Sequence, residues 1–420
     1  MNKRKLIATI AVVGAAALAL SACSSGSSST KAAGKVTLTM WTGFTGGDRP
    51  GYAEIVKDFN ASHPNIKVVQ TVESWDTIEQ KLPTAWLTGS GPDIAAPSSD
   101  PNVIANYVKT NSVLPIDTGS GTSKVNSTEL AQAAVKELTY NGKLYAIPAN
   151  FASLSLYYNK KMFTAAGLTP PTTVAEFEAD AKQLTLGNGQ TQYGLSLADN
   201  QTIQMWPILQ WLTGGDIVNS AGCSVLSSAK SQAGLKTWAD LVENDHISPV
   251  GQTGAQADSL FAAGKAAMEM NGPWAASTYK AAGLDFGIVK IPTGVSGNVT
   301  LGSIAPLAIS AKTKYPAQAQ EFLAYYTSKT QQEKFSLTTG FPPLRTDMTS
   351  DTKLNNDATV KVFTSQLADA RLYLPQLKNA TQVDSNAYVT LIGQITRGTP
   401  VATATATATS TINSLTGCKS

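Results

Sequence analysis

The sequence predicts an α/β protein built as two lobes, and three observations carry that expectation. The chain has 420 residues, too many for one ordinary hydrophobic core. Near its start a strand pattern, an amphipathic helix pattern and a second strand pattern follow one another, the unit from which parallel sheets are built. Two long strand-like passages, 145–158 and 301–309, suit segments that pass from one lobe to the other, and no turn cluster interrupts the first.

The elements follow in order. Val36 to Met40 alternates as a strand and leads into Trp41-Thr42-Gly43-Phe44-Thr45-Gly46-Gly47-Asp48, a loop of aromatic, hydroxyl and glycine residues. Tyr52, Ile55, Val56 and Phe59 share one helix face, His63-Pro64 ends that helix, and Ile66 to Val72 is the second strand. Trp75 to Leu87 predicts a helix with Ile78, Leu82 and Trp86 inward. Asp93 to Ala96 is a short strand with Pro97-Ser98-Ser99-Asp100 as its exit loop. Asn159 to Gly167 reads as a helix capped by its glycine, and Val174, Phe177, Ala181 and Leu184 mark another. Gln201 to Trp211 carries Trp206-Pro207 and stops at Gly214-Gly215, and Leu235, Trp238 and Val242 mark a helix packed into a core.

A helix from Ala255 to Gly264 precedes the apolar run Ala266 to Met270, which turns at Asn271-Gly272-Pro273-Trp274 into a helix over 275–282. Gly272 suits the turn and Pro273 the first helical position. Trp274 then stands at the carboxyl end of a strand, where open α/β sheets bind ligands, so it is expected to floor a binding cleft; the alternative is that it packs the helix onto the sheet. Ala317 to Thr327 is a helix with Phe322, Leu323 and Tyr326 inward. The Ala-Thr alternation from Val401 to Ser410 suits a strand by period and a helix by alanine content, and a terminal helix is expected.

Composition narrows the function. Met1 to Cys23 reads as an export signal, with a basic start, the apolar run Leu6 to Leu20, and Leu20-Ser21-Ala22-Cys23. The last four residues resemble the bacterial lipobox, in which the cysteine is lipidated, so 1–22 is read as a signal peptide and 23–35 as Cys23 with a flexible Ser/Gly-rich tether. Without Lys3, Arg4 and Lys5 the 32 basic residues fall to 29, equal to the 29 acidic ones, and no charge excess favours nucleic acid. Cys223 and Cys418 then remain in an exported chain, where they either pair or stay free. His63 and His246 stand apart and no CxxC occurs, which speaks against a metal site or a His-based triad; no metal or cofactor is expected.

Four motifs in order, Gly91-Pro92-Asp93-Ile94, Leu154 to Lys160, Phe261 to Met268 and Asn271 to Trp274, resemble the bacterial extracellular solute-binding proteins that feed sugar ABC importers, the maltose-binding-protein-like family. The resemblance covers the whole mature chain. It implies a two-lobed periplasmic-binding-protein fold of type II, with residues 36–149 and 300–347 in an N-terminal lobe and 150–299 and 348–420 in a C-terminal lobe. It implies hinge strands between the lobes and a sugar held in the cleft. In that family the turn matching Asn271 to Trp274 supplies an aromatic that stacks on a pyranose, which assigns Trp274 to the ligand.

Gln201 falls where maltose-binding members carry a sugar-contacting carboxylate, upstream of the Trp206-Pro207 pair, and Ala152 falls where they carry another acid, so the pocket is not a copy of a maltose site. The remaining candidates stand on strand-exit loops, crossings, helices and the turn itself: Trp41, Phe44, Asp48, Trp75, Ser98, Asp100, Asn150, Phe151, Trp206, Asn271, Gly272, Ser303 and Arg345. The expected function is a lipid-anchored, monomeric binding component that captures a neutral sugar or oligosaccharide and hands it to a cognate ABC permease in the membrane. The alternatives are the same fold binding a glycerol phosphodiester, polyol or peptide, or an extracytoplasmic glycosidase. The glycosidase needs two facing carboxylates, and of these candidates only Asp48 and Asp100 qualify.

Overall fold

The computed structural model describes residues 34–187, 191–201, 203 and 205–418. The export signal, the lipidated Cys23 and the tether up to residue 33 lie outside them. Among the described residues no helix is long and apolar enough to cross a membrane.

Two sheets organise the body of the chain. In the first, Val36–Thr42 (β1) lies parallel to Ile66–Val72 (β2), in register from Val36 against Ile66 to Thr42 against Val72, and parallel to Ile94–Ala95 (β3) on its other side. The helix Arg49–Ser62 joins β1 to β2 and buries Tyr52, Ile55, Val56 and Phe59, the face its periodicity predicts. Ser74 caps the helix Trp75–Thr88, which runs through Pro83 and ends at Gly89 in the left-handed region. Asp93 accounts for the motif before β3: its carboxylate accepts from the backbone and hydroxyl of Thr39 at 2.8 and 3.0 Å and from the Thr313 hydroxyl at 2.6 Å. Trp86 Nε1 donates to Pro92 O at 2.9 Å, and a Cβ on Gly91 would stand 2.7 Å from the Trp86 ring. That motif is a weld between strand and helix.

A small hairpin, Thr139–Tyr140 (β4) and Lys143–Leu144 (β5), precedes Ile147–Ser153 (β6), every residue of which is buried. The chain then leaves the first sheet within one residue, at Leu154, and continues as Ser155–Asn159 (β7) in the second. There the strand order is β10-β7-β9-β8, with Tyr193–Ser196 (β8), Ala266–Asn271 (β9) and Phe286–Val289 (β10). Asn159 caps the next helix, Lys160–Ala166, by accepting from Lys161 N and Met162 N.

Thr300–Ile309 (β11) returns to the first sheet, antiparallel to β3 and β6, and Ala370–Leu372 (β12) pairs with its first three residues. A bulge falls between Ala305 and Pro306, opposite Pro148, because neither proline can donate to the ladder. Asn150 Oδ1 accepts the Ala305 N–H at 3.1 Å in its place. Each sheet carries its own hydrophobic core, one including Leu38, Phe59 and Trp86, the other Trp206, Trp238 and Tyr388.

The stretch 328–400 gave few periodic signals and holds the helix Lys329–Thr339 together with several short helical pieces. The Ala-Thr segment is helical, Val401–Thr416, with Ala404, Thr405, Ala408 and Ile412 inward. Asn413 Oδ1 and Thr409 Oγ1 tie it to Ser224. Cys223 and Cys418 are joined by a disulfide with Cα atoms 5.4 Å apart, closing a loop with a sequence separation of 195. Replacing both with serine is expected to lower the unfolding free energy by about 2–4 kcal/mol through the freer unfolded chain, measured by urea denaturation of oxidised wild type and variant.

Candidate functional site

Between the lobes lies a cavity of about 540 Å³. The first lobe supplies Trp75, Glu79 and Pro83 from one helix face at spacing i, i+4, i+8, and Ser98 to Pro101 from the loop after β3. Val103, Asn106 and Tyr107 follow from the next helix. Leu301 to Ile304 of β11 make the back wall, and Gln201, Ile203, Pro207, Tyr373, Thr381 and Asp384 face it from the other side.

Trp75 is the cavity's aromatic plate. Its indole lies so close over Gly43 that a Cβ there would stand 2.1 Å from the ring, and Phe44 meets it edge-on with centroids 5.5 Å apart. Glycine at 43 is what lets the ring lie down on the backbone. Gln201 lines the cavity at φ +64°, a left-handed conformation that side-chain-bearing residues rarely adopt.

Carboxylates set the electrostatics. Ser98 Oγ donates to Glu79 at 2.6 Å and receives the Asp100 N–H at 3.0 Å, while Asn102 donates to Asp100 Oδ1 through its backbone and side chain, both at 2.9 Å. The Tyr373 hydroxyl donates to Asp384 at 2.8 Å. Removal from water raises Glu79 and Asp100 above the usual carboxylate range and pushes Asp384 up to about 6. The negative charge of Asp100 adds to the rise of both Glu79 and Asp384. No Lys or Arg stands among the described lining residues, and no group of three Asp, Glu, His or Cys among the described residues is placed to hold a metal ion.

Of the residues singled out in the sequence, the structure brings Trp75, Ser98, Asp100, Gln201 and Ser303 together on this cavity. It places the others elsewhere. Phe44 stacks on Tyr52 inside the first lobe, with centroids 3.7 Å apart. Asn150 donates to the Tyr52 hydroxyl at 2.5 Å, and Tyr52 in turn bonds to Asp48, whose burial pushes it up to about 6. Phe151 is a buried core residue of β6, and Trp41 is half-buried in β1 against the same core. Trp206 is fully buried, its Nε1 bonded to Ala198 O at 3.0 Å.

Arg345 gives its guanidinium to Glu129, Asp347 and Thr327 O, so its donors are engaged away from the cavity. The turn at 271–274 is held by its own network. Asn271 Nδ2 donates to Asp258 and to the Tyr279 hydroxyl, both at 2.8 Å, and Tyr157 donates to Gly272 O at 2.7 Å. Trp274 is half-buried, its ring folded over Gly272 and facing Phe341 of the first lobe with centroids 6.1 Å apart. It packs against the cores of both lobes and is not among the residues lining the cavity. The short helical turn Pro273–Ala275 fixes that direction.

Glu79, Tyr107, Tyr373 and Asp384 also line the cavity, although the sequence does not single them out. Glu79 was recoverable, one turn after Trp75 on the same helix face. Tyr373 and Asp384 come from a stretch without periodicity, where no signal was available.

Two lobes, each with its own sheet, and a polar cavity between them define a protein that encloses a small solute. The chain matches the profile of the family described as bacterial extracellular solute-binding protein over residues 54–362, and it belongs to that family. It is 27% identical to the diacetylchitobiose binding protein DasA of Streptomyces coelicolor over 429 residues, covering 96% of each chain. It is 23% identical to a maltotriose-binding protein of Pyrococcus abyssi over 353 residues, 81% of this chain and 73% of that one.

Among solved structures, the GacH receptor of Streptomyces glaucescens, crystallised without ligand and with acarbose, shares the fold at a TM-score of 0.81 and 22% identity. The match covers 92% of this chain and 100% of that one. UgpB of Mycobacterium tuberculosis, in complex with glycerophosphocholine, also gives 0.81, at 21% identity over 90% of this chain and 98% of that one.

Proposed function

We propose that the chain is the lipid-anchored substrate-binding component of an ABC importer and that its cargo is a saccharide. The observation that carries this reading is the cavity between the lobes, lined by the Trp75 indole together with the polar residues Ser98, Asn106, Gln201, Ser303 and Thr381. A sugar ring presents C–H groups on its faces and hydroxyls at its edge, and this lining offers a partner to each. Names of relatives, binding proteins for diacetylchitobiose and maltotriose, support the same class.

Closing follows from the chain path. The lobes are connected at Leu154, at the start of β11 and after β12; Leu154 N donates to Leu301 O, Thr300 Oγ1 donates to Leu154 O, and β12 pairs with Thr300 to Gly302, so the three crossings lie side by side and form the hinge. Cys23 anchors the exported chain to the outer face of the membrane, and a cognate permease receives the solute there. A phosphodiester, the ligand of UgpB, is disfavoured by a lining with four carboxylates and no Lys or Arg among its described residues.

Titration with a saccharide panel is expected to raise the melting temperature for a subset of sugars, and solution scattering at saturation to give a smaller radius of gyration. No shift with any saccharide rejects the reading. Sugar turnover abolished by Asp100→Asn replaces it with a hydrolase.

A further inference from the structure

A solute is enclosed only when the lobes shut, and one contact shows what they shut against. The loop Gly43 to Asp48, between β1 and the helix Arg49–Ser62, belongs to the first lobe, and the helix Ala276–Ala281 to the second. Gly47 lies directly against that second helix. A Cβ placed on it would collide with Ser277 Oγ and stand 3.1 Å from both Ser277 Cβ and Thr278 Oγ1, so its three nearest neighbours all come from the opposite lobe. The φ of Gly47 lies outside the left-handed region, and its own backbone therefore admits an alanine; the other lobe is what excludes one. Gly46 faces the same lobe with room to spare, since a Cβ there would meet Trp274 Cβ at 3.8 Å, an ordinary contact.

Both surfaces are pinned. On the first lobe, Thr45 N donates to Gly43 O at 2.8 Å and Arg49 N to Gly46 O at 3.1 Å, Phe44 stacks on Tyr52, and the buried Asp48 bonds to Tyr52. On the second, Tyr279 of the helix is fully buried against Tyr157 and Phe261, and its hydroxyl is bonded to Asn271 and Glu269. Surfaces packed in this way meet and stop, because a close-packed interior does not deform continuously. The same loop supports the Trp75 plate, whose ring lies on Gly43. We propose that Gly47 and Ser277 are positioning residues that form the closure stop: their contact sets how far the lobes shut, and with it the width of the cavity between Trp75 of one lobe and Gln201 and Asp384 of the other.

This inference rests on the closing of the lobes in the reading above, and not on the solute being a sugar. Titration calorimetry and solution scattering with maltotriose, diacetylchitobiose, acarbose and glycerophosphocholine would compare wild type, Gly47→Ala, Ser277→Gly and the double variant. With whichever probe closes the wild type, Gly47→Ala is expected to bind about tenfold or more weakly and to keep a larger radius of gyration at saturation, because the added methyl holds the lobes apart. Ser277→Gly makes room for that methyl, so the double variant should return to the radius of Ser277→Gly alone and to within about threefold of its affinity. Urea unfolding of the empty Gly47→Ala protein should match wild type, since an open cleft relieves the clash. Wild-type affinity in Gly47→Ala, or a loss that Ser277→Gly does not rescue, overturns the stop. Closure by glycerophosphocholine alone, with the same rescue, overturns the saccharide reading and leaves the stop standing; a wild type that closes on no probe overturns both.

Discussion

Replacing Trp75 with alanine is expected to weaken saccharide binding by ten- to a hundredfold, about 1.4–2.7 kcal/mol, while moving the melting temperature of the empty protein only slightly. The ring is half-buried against the first lobe's core, with the Gly43 backbone under one face and the edge of Phe44 beside it, so truncation removes less core contact than at Trp274, which packs against the cores of both lobes. Its other role is toward the cavity, where an enclosed aromatic contact is worth about 0.5–1.5 kcal/mol beyond the area it covers. Trp274→Ala should behave in the opposite way. That ring packs against the cores of both lobes and against Phe341, so its loss should lower stability by on the order of 2 kcal/mol, short of the 3–5 kcal/mol typical of a fully buried ring. Titration calorimetry beside thermal melts of both variants decides the assignment. A binding loss confined to Trp274→Ala would make the family turn, and not Trp75, the sugar platform.

The second large effect is a fold more stable at mildly acidic than at neutral pH. Burial pushes Asp48 and Asp384 up to about 6 and Glu137 up to about 7, against ordinary values of 3.8 and 4.5. Asp48 faces Tyr52 and Tyr326; Glu137 faces Asp100, Lys136 and the Gln376 N–H; Asp384 faces Tyr373 and Asp100. Below about pH 4 each group is protonated in both states and the raised value has no effect.

Between there and the folded value, the unfolded chain releases a proton that the folded chain keeps. Stability therefore falls as pH rises, by about 1.4 kcal/mol per group per pH unit, and levels off above about 7. With the partly exposed Asp384 left out, Asp48 over one pH unit and Glu137 over two make the unfolding free energy about 4 kcal/mol higher at pH 5 than at pH 7.5. Urea denaturation at the two values measures it. Asp347 and Glu176, whose values are lowered, contribute stability that is lost only at more acid pH, so they leave this window unchanged. Equal stability at the two pH values would show that these carboxylates are ionised in the fold.

Much of the architecture was legible in the sequence because it is written in local periodicity. The i, i+3, i+4 face of Tyr52 to Phe59, the alternation of Val36 to Met40 and the cap at Gly167 each need only near neighbours. The motifs that mark the family proved to be of the same kind. Asp93 welds strands, Asn159 caps a helix and Asn271 holds a turn, so these residues specify how the lobes are built.

The site itself is divided. Ser98, Asp100 and Ser303 were visible because strand exits and crossings must border a cleft between sheets. Trp75 was visible only as one aromatic among several, and what distinguishes it is Gly43, thirty-two positions earlier, whose missing side chain lets the ring lie flat. The fate of Trp274 could not be read locally either, since its direction depends on Phe341 and on a short helical turn. Asp384 reaches the cavity from a stretch with no pattern to reveal it, opposite Glu79 and Asp100. By itself the sequence determined two lobes, export and the family, because these rest on periodicity, composition and ordered motifs. Only the tertiary structure decided which side chains share the cavity and what charge they present, because both depend on contacts between residues hundreds of positions apart.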